Sequence, residues 1–294
     1  MTVKQSVPRV SRGARPLSVA SPRRSASQKL ATVSLIFVAV AFLVPLAWLL
    51  LAAFDPAASY ETRIPDRFSL ENFEAVLTPQ TTFVPLGNSL LLSTSTAAIT
   101  VLAALLAAYP LSRYRSRFHR GFMYGVLFGT GLPITAIMVP VYSLFVFFGL
   151  LDSMVGTILF LTATSLPMAV FMTKNFMDSV PVGLEEAAWI DGASSMRALR
   201  SVVVPLMRPG IAVVFVFVFL QAWGNFFVPF VLLYSPDKQP AATSIYAFFG
   251  QFGSIAYGQL AAFSLIYSVP VIVLYIAASR IIGGSFALAG SVKG

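Results

Sequence analysis

The sequence contains no cysteine among its 294 residues. Disulfide bonds, thiolate metal sites and cysteine nucleophiles are therefore excluded. Charged residues are also scarce, because Asp, Glu, Lys and Arg make up only 11% of the chain, whereas a soluble globular domain carries about 25%. Hydrophobic residues account for 57% of the chain and the mean hydropathy is +0.82. This composition predicts a protein of the lipid bilayer.

Three further absences concern chemistry and energy. The apolar segments described below contain no Asp, Glu, Lys or Arg, whereas ion-coupled carriers usually keep ionisable groups inside the membrane. The chain has no G-x-x-x-x-G-K-[ST] phosphate loop and is not expected to hydrolyse ATP itself. Its only histidine, His119, has no second type of ligand or triad partner nearby, so neither a metal site nor a catalytic residue is predicted. Energy for any transport must come from a partner.

Six apolar segments are each near the length of about 20 residues that a membrane-spanning helix requires. They are Leu30–Phe54, Gly87–Tyr109, Gly121–Gly149, Ser153–Thr173, Gly210–Tyr234 and Gln259–Ser279. The predicted fold is all-α, a polytopic membrane protein with six transmembrane helices. Pro133 and Pro140 could break the third helix.

The charges divide the chain and orient it. Residues 1–29 form a basic tail that is predicted to be disordered, residues 30–86 hold the first transmembrane helix and an external loop, and residues 87–294 form a core with five transmembrane helices. Most of the 20 Lys and Arg residues lie on the side of the tail, so both termini are predicted to be cytoplasmic. Four arginines in one loop on that side are expected to fix topology or contact anionic headgroups: Arg113, Arg115, Arg117 and Arg120.

The loop 174–209 is long enough to have structure of its own. Pro181 is suited to a first helical turn, acidic residues follow where the helix dipole favours anions, and Gly192 can supply a left-handed cap. This predicts a helix of about ten residues that ends at Asp191. A helix lying on the membrane surface is the alternative, but such helices are usually rich in Lys and Arg, and this one has neither.

A second helix is predicted directly after this turn. Ser194 or Ser195 can cap it, and it should run over Met196–Val204. Pro205 is expected to end it, because proline removes a backbone donor and clashes with the preceding turn.

The string Glu186-Ala187-Ala188, three residues, Gly192, nine residues, Val202-x-Val204-Pro205 resembles the EAA motif of binding-protein-dependent ABC importer permeases, whose usual form ends in Ile-x-Leu-Pro. The resemblance implies a type I ABC importer permease (MetI/MalG-like) fold in a bacterial inner or plasma membrane. It also implies that this loop is a coupling helix that docks on a separate ATPase. The residues that would couple to the ATPase are Glu185, Glu186, Ala187, Ala188, Asp191, Gly192 and Pro205.

The same resemblance implies partners and a cargo. The partners would be a homologous second permease (MalF-like), two ATPase subunits that bind ATP and Mg, and an extracytoplasmic substrate-binding protein, with no cofactor on this chain. Within the family the chain is similar to carbohydrate permeases of the maltose-transporter MalG type, through Asn88-Ser89, Trp223-Gly224-Asn225-Phe226 and the terminal Gly290-Ser291-Val292-Lys293-Gly294. The second string departs from the commoner Trp-Asn-acidic-Phe form.

Sugar recognition combines aromatic faces with amide or hydroxyl groups, which makes polar residues of the spans candidates for the translocation path. These candidates are Asn88, Gln221, Trp223, Asn225, Gln259 and Tyr267. Each could instead form a helix-to-helix hydrogen bond or an interfacial anchor. Other cargoes for the same machinery, such as glycerol phosphate or polyamine, would require charges that the spans lack. An ion-coupled carrier or a membrane enzyme would require buried ionisable residues or clustered acids and histidines.

Overall fold

A computed structural model of the chain describes residues 26–61, 63–114, 119–131, 133–249 and 255–290. The chain divides into two units, residues 1–47 and 48–294, and the boundary falls within the first helix. Most of the basic tail, two of the four loop arginines and the last four residues lie outside the described ranges.

Helices make up almost all of the regular structure in these ranges. In chain order they are α1 (Ala26–Ala53), α2 (Glu71–Val76), α3 (Val84–Arg113), α4 (His119–Thr130), α5 (Ile134–Phe147), α6 (Met154–Asp178), α7 (Val182–Ile190), α8 (Ser195–Ala198), α9 (Val204–Leu206), α10 (Arg208–Trp223), α11 (Phe227–Leu232), α12 (Ala241–Ser244) and α13 (Tyr257–Gly290). Two π-helical stretches, Pro79–Phe83 and Leu199–Val203, and two 3-10 stretches, Pro236–Lys238 and Ile245–Phe248, lie between them.

Among the described residues, four continuous helical runs are long and apolar enough to cross a membrane. They are the part of α1 from Leu30, the run Pro79–Arg113 that contains α3, the helix α6, and α13 as far as Ile282. Two bent pairs raise the number of candidate spans to six: α4 with α5, at 90°, and Ser195–Leu206 with α10, at 81°. The predicted all-α fold with several membrane-spanning helices is confirmed.

Two of the predicted spans are broken, the third at a position where the sequence suggests a break and the fifth at one where it does not. The third breaks at Pro133, which caps α5, whereas Pro140 lies inside α5 without ending it. The fifth was expected to run unbroken from Gly210 to Tyr234, and this is wrong, because α10 ends at Trp223 and α11 begins at Phe227. The side-chain oxygen of Asn225 accepts a hydrogen bond from the backbone N–H of Val228 at 3.0 Å. This is the way a capping side chain starts a new helix.

Helix α3 lies at the centre of the bundle and packs against both α6 and α10. Small residues on its buried face, among them Ala97, Ala104 and Ala108, allow the neighbouring helices to approach closely. Helix α10 makes a similar close approach to α6, since a Cβ atom on Gly210 would lie 2.5 Å from the ring of Phe176. These small residues set the spacing of the core.

The end of the bundle where α3 begins is held by backbone hydrogen bonds, and we call it the Asn88 end. The amide of Asn88 donates to the carbonyls of Asp237, at 2.7 Å, and Gln239, at 3.1 Å. The hydroxyl of Ser89 accepts from the N–H of Ala241 at 2.8 Å. The start of α3 is therefore tied to the segment between α11 and α12.

A buried carboxylate stabilises the same end. Asp152, which has a left-handed φ of 55°, accepts hydrogen bonds from the backbone N–H groups of Tyr234 and Ser235, from the Ser235 hydroxyl and from the Lys238 ammonium. The Lys238 ammonium, with help from Ser235, holds the pKa of this carboxyl well below its usual range. The loop before α6 is thereby joined to the loop after α11.

The segment between α1 and α2 closes this end. The buried amide of Asn72 donates to the carbonyl of Ala53 at 3.2 Å, which the end of α1 leaves without an intrahelical partner, and to the carbonyl of Asp55, just beyond the helix, at 2.9 Å. The carboxylate of Asp55 pairs with Arg63 at 2.9 Å, and this hydrogen bond lowers the pKa of Asp55. A Cβ atom on Gly258 would lie 2.4 Å from the Asn72 amide, so only glycine fits there without a shift.

Candidate functional site

The predicted helix and turn of the 174–209 loop are present as α7 and Gly192. Helix α7 begins at Val182, after Pro181 in an extended conformation, and ends at Ile190. Gly192 has a φ of 83°, which other residues adopt only with strain, and the N–H of Ala193 then bonds to the carbonyl of Ala188 at 2.9 Å. Glycine therefore supplies the left-handed cap that the sequence predicts.

The second helix of the loop differs from the prediction in its path and its end. Ser194 caps α8 by accepting from the N–H of Arg197, but a π-helical stretch, Leu199–Val203, follows. The helical path continues through Pro205 to Leu206, so the expectation that Pro205 ends the helix is wrong. The N–H of Val204 bonds back to the carbonyl of Leu199, and this wider turn accommodates a proline that lacks a donor.

Helix α7 presents most of its surface to the outside of this chain. Glu186 is exposed, and so are large apolar side chains on the same helix, of which Ile190 is 87% exposed. Ala187 is exposed and Ala188 is half-buried, so nothing bulky stands between them and an approaching surface. An exposed apolar surface of this kind, with a charge at its edge, is typical of a protein–protein contact.

Glu185 differs from its neighbour Glu186 because its side chain is completely buried. It pairs with Arg113, the last residue of α3, through Arg113 Nε at 2.6 Å and Nη2 at 2.5 Å. The expected contact with lipid headgroups is therefore wrong for Arg113, whose side chain is only 4% exposed. We call this part of the bundle the α7 end. Adjacent helical residues point in different directions, so the Glu185-Glu186 doublet was a sequence signal that one acid faces inward.

A cavity of about 680 Å³ opens between α4, α5, α6 and α10. Its volume falls within the range of about 300–1,000 Å³ that is usual for ligand pockets. The residues described as lining it are Gly129, Thr130, Ile134, Ile137, Leu161, Ala163, Thr164, Ser165, Pro167, Met168, Phe217, Gln221, Ala222 and Asn225, none of which is charged. Because Pro167 has no N–H, the carbonyl of Ala163 lacks its helical donor at the cavity wall.

Two of the six candidate path residues, Gln221 and Asn225, line this cavity. Trp223 and Tyr267 instead stack on each other, with ring centroids 5.0 Å apart, and the Tyr267 hydroxyl donates to the Trp223 carbonyl at 2.5 Å. Asn88 bonds to the backbone carbonyls of Asp237 and Gln239, and Gln259 lies in the first turn of α13. The structure thus brings two of the six residues together in one cavity and places the other four elsewhere.

Sequence reasoning missed the hydroxyl groups of the cavity wall. Thr164 and Ser165 come just before Pro167 in the middle of α6, and Thr130 ends α4. A polar pair followed by a proline inside a membrane helix was the available signal, since such prolines leave backbone groups that need partners.

Comparisons with known proteins agree on one family. Residues 99–283 match the family model described as binding-protein-dependent transport system inner membrane component. The diacetylchitobiose uptake system permease protein NgcG of Streptomyces coelicolor is 32% identical over 268 residues, which cover 89% of this chain and 89% of the relative. A putative ABC transporter permease protein, ORF1, of Streptomyces antibioticus is 35% identical over 70% of this chain and 89% of its own length.

A solved structure shows the same fold. It is a chain of a bacterial ABC transporter involved in the import of the acidic polysaccharide alginate, and it matches with a TM-score of 0.75 at 19% identity. The match covers 88% of this chain and 99% of that chain.

Proposed function

The chain belongs to the family of binding-protein-dependent transport system inner membrane components, and we propose that it lines the path of a carbohydrate and couples to its ATPase through α7. It is a multi-pass permease subunit of an ABC importer, and ATP is hydrolysed by a separate ATPase. The cargo, the coupling residues and the orientation in the membrane are the parts that we propose.

The observation that carries the coupling role is the contrast between the two acids of α7. Glu185 fixes the helix to its own chain, while Glu186, Trp189 and Ile190 remain exposed. An exposed apolar helix that is anchored at one point suits a contact with a second protein better than a contact with water. We therefore assign this surface to the ATPase and place the α7 end in the cytoplasm, with both chain termini on that side.

The cavity supports a neutral, hydroxyl-rich cargo. Its lining combines the amides of Gln221 and Asn225 with hydroxyl groups and apolar side chains, and the lining residues carry no charge. An anion would favour an arginine there and a polyamine would favour carboxylates. The name of the relative in Streptomyces coelicolor refers to diacetylchitobiose, an oligosaccharide of this chemical kind. We propose a sugar or oligosaccharide.

The complete importer would contain a second permease, two ATPase subunits and an external substrate-binding protein. A solved alginate transporter that resembles this chain has a periplasmic protein bound. Closure of the ATPases on ATP would displace α7. The movement would pass to α6, which residues 179–181 connect to α7, and to α10, which follows the loop. The cavity would then open to the opposite side of the membrane.

Charge reversal at Glu186 tests the coupling role. The Glu186→Lys variant should assemble and insert like the native chain, because its side chain is exposed. It should lower the stimulation of ATP hydrolysis by the loaded binding protein by about fivefold or more, the lower range of typical coupling energies. Asp237→Lys, an exposed acid at the Asn88 end, is the matched control. Native stimulation in Glu186→Lys would disprove the coupling role of this surface.

Uptake into proteoliposomes tests the cargo. Complexes assembled with the cognate binding protein should accumulate labelled diacetylchitobiose or a related oligosaccharide, and neither glycerol phosphate nor spermidine. Gln221→Leu should raise the KM for the transported sugar by about tenfold, which corresponds to the loss of one hydrogen bond of about 1.4 kcal/mol. Uptake of only the charged compounds would exclude the carbohydrate assignment.

A further inference from the structure

The ion pair between Arg113 and Glu185 joins two elements that no short stretch of chain connects. Arg113 ends α3 and Glu185 lies in the first turn of α7, 72 residues further along the chain. Both side chains are almost completely removed from solvent. A buried charge that loses its partner is strongly unfavourable, so α3 and α7 resist separation at this point.

Arg113 makes further hydrogen bonds that strengthen the junction. Its Nη2 donates to the carbonyl of Val180, just before α7, at 3.3 Å, and its Nη1 donates to the Ser112 hydroxyl at 3.0 Å. Ser112 in turn donates to the carboxylate of Asp178, the last residue of α6, at 2.6 Å. One guanidinium therefore binds the first turn of α7 and the link before it, and through Ser112 it also reaches the end of α6.

Helices α6 and α10 are attached to the α7 segment by short stretches of chain, but α3 is not. Residues 179–181 connect α6 to α7, and residues 191–207 connect α7 to α10. Helix α3 meets α7 through side chains. Helix α3 packs against both α6 and α10, which also contact each other, so a shift of α3 would act on both helices.

We propose that Arg113 is a positioning residue that forces α3 to move together with α7 when the ATPase changes conformation. The proposal rests on the coupling role proposed for α7. Helix α3 is continuous over 30 residues, a length of about 45 Å. Its other end is bonded to Asp237, Gln239 and Ala241. A displacement of α7 would therefore reach the opposite face of the membrane through α3.

The absence of cysteine makes the proposal testable with introduced labels. Spin labels at Val182 in α7 and Leu106 in α3, both exposed in this chain, report the distance between the helices in the complete complex with its ATPases. In the native chain we expect the same narrow distance distribution with and without ATP plus vanadate.

A cysteine introduced at Ser165 reports the opening of the cavity through its alkylation rate. Nucleotide should change this rate by about fivefold or more.

The informative variant is the double substitution Arg113→Met and Glu185→Leu. It removes the ion pair without leaving a charge buried, and such apolar replacements are often neutral for stability, so the complex should assemble. We expect the α3–α7 distance to shift or broaden by about 2 Å or more between nucleotide states, a typical helix displacement. The nucleotide effect on Ser165 alkylation should also be lost. Arg113→Lys keeps the charge but not the fork of donors. It should therefore keep part of the native behaviour in both the α3–α7 distance and the Ser165 alkylation rate.

The matched control removes an exposed pair of the same residue types. Arg67→Met with Glu71→Leu breaks an ion pair whose side chains are both mostly exposed, and both signals should stay native. If the double variant at Arg113 and Glu185 gives the same distances and alkylation rates as the native chain, the proposal is overturned. The coupling role of α7 would still stand in that case if nucleotide changes Ser165 alkylation in the native chain and Glu186→Lys abolishes that change. If nucleotide has no effect on Ser165 in the native complex, the coupling role fails and the proposal fails with it.

Discussion

The two ends of α3 are held in different ways. At the α7 end, one buried arginine pairs with one buried glutamate, and the helix beyond them exposes an apolar surface. At the Asn88 end, an amide and a hydroxyl bond to three backbone groups, and Asp152 joins two loops nearby through four further hydrogen-bond donors. The α7 end therefore depends on the contacts of one arginine, and the Asn88 end on several independent residues.

This difference suits the roles proposed for the two ends. An element that receives force from a partner needs a strong and directional attachment, and Arg113 directs its Nε and Nη2 donors at Oε1 of Glu185. An element that keeps its position needs many weaker attachments, because losing one of them leaves the others intact. The α7 end should therefore be sensitive to single substitutions, and the Asn88 end should tolerate them better.

The largest effect is expected from Arg113→Ala. This substitution leaves the Glu185 carboxylate buried without its partner, and removing one member of a buried ion pair typically costs about 3–5 kcal/mol. Thermal unfolding of the purified chain in detergent, followed by circular dichroism, should show a large fall in midpoint. The Arg113→Met and Glu185→Leu double variant should recover most of that loss. Equal destabilisation in both variants would mean that packing, rather than the charge pair, holds this end.

The contrast between the ends could be predicted only in part from the sequence. Composition and the length of the apolar segments predict the membrane-spanning helices, and Gly192 with the EAA pattern predicts the turn after α7. These features can be predicted because their signals are local along the chain. The pairing of Arg113 with Glu185 spans 72 residues and depends on how α3 and α6 pack. No local pattern specifies that packing, so the sequence alone does not distinguish Arg113 from the other arginines of its loop.

The cavity and the break after α10 were missed for a related reason. Hydropathy treats Gly210–Tyr234 as one apolar run, whereas the Gly224-Asn225 pair ends one helix and caps the next. The hydroxyl groups of Thr164 and Ser165 matter only because α6 turns them toward α10 and α5, which is a tertiary feature.

A smaller effect is expected from Asn88→Ala at the opposite end. The substitution removes two hydrogen bonds to backbone carbonyls, each worth about 0.5–1.5 kcal/mol. The Ser89 and Asp152 contacts remain, so the unfolding midpoint should fall less than in Arg113→Ala, and transport should persist. Leu90→Ala, an exposed residue of the same helix turn, is the control. A loss as large as that of Arg113→Ala would contradict the view that this end is held by many interactions.

Gly192→Ala probes the turn after α7 with a smaller perturbation. No atom lies within 4 Å of a Cβ placed there, so the cost comes only from the left-handed backbone, about 1–2 kcal/mol for a residue with a Cβ atom. Gly183→Ala has equal space but an ordinary helical backbone, and it should be neutral or slightly stabilising. Differential scanning fluorimetry of the two variants should separate them. Equal midpoints would show that the turn can relax without strain.

The smallest effect is a dependence on pH that is confined to the Asn88 end. The Lys238 ammonium lowers the pKa of Asp152 below its ordinary value of 3.8. The ionised Asp152 carboxylate therefore contributes fully to the free energy of unfolding above about pH 4. This contribution is lost as the pH falls through the lowered pKa that Asp152 has in the folded protein. Asp152→Asn should be less stable than the native chain at pH 7, and the difference should shrink as the pH is lowered toward 3.

Unfolding midpoints of the two proteins across this range measure the effect, with Glu74→Gln, an exposed acid on α2, as the control. The backbone N–H groups of Tyr234 and Ser235 both donate to Oδ1 of Asp152, an acceptor that asparagine keeps and alanine lacks. Their hydrogen exchange should therefore accelerate in Asp152→Ala at pH 7 without a change in the α7 segment. Acceleration that spreads to α7 would mean that the two ends of the bundle are not independent, and that α3 transmits loosening as well as force.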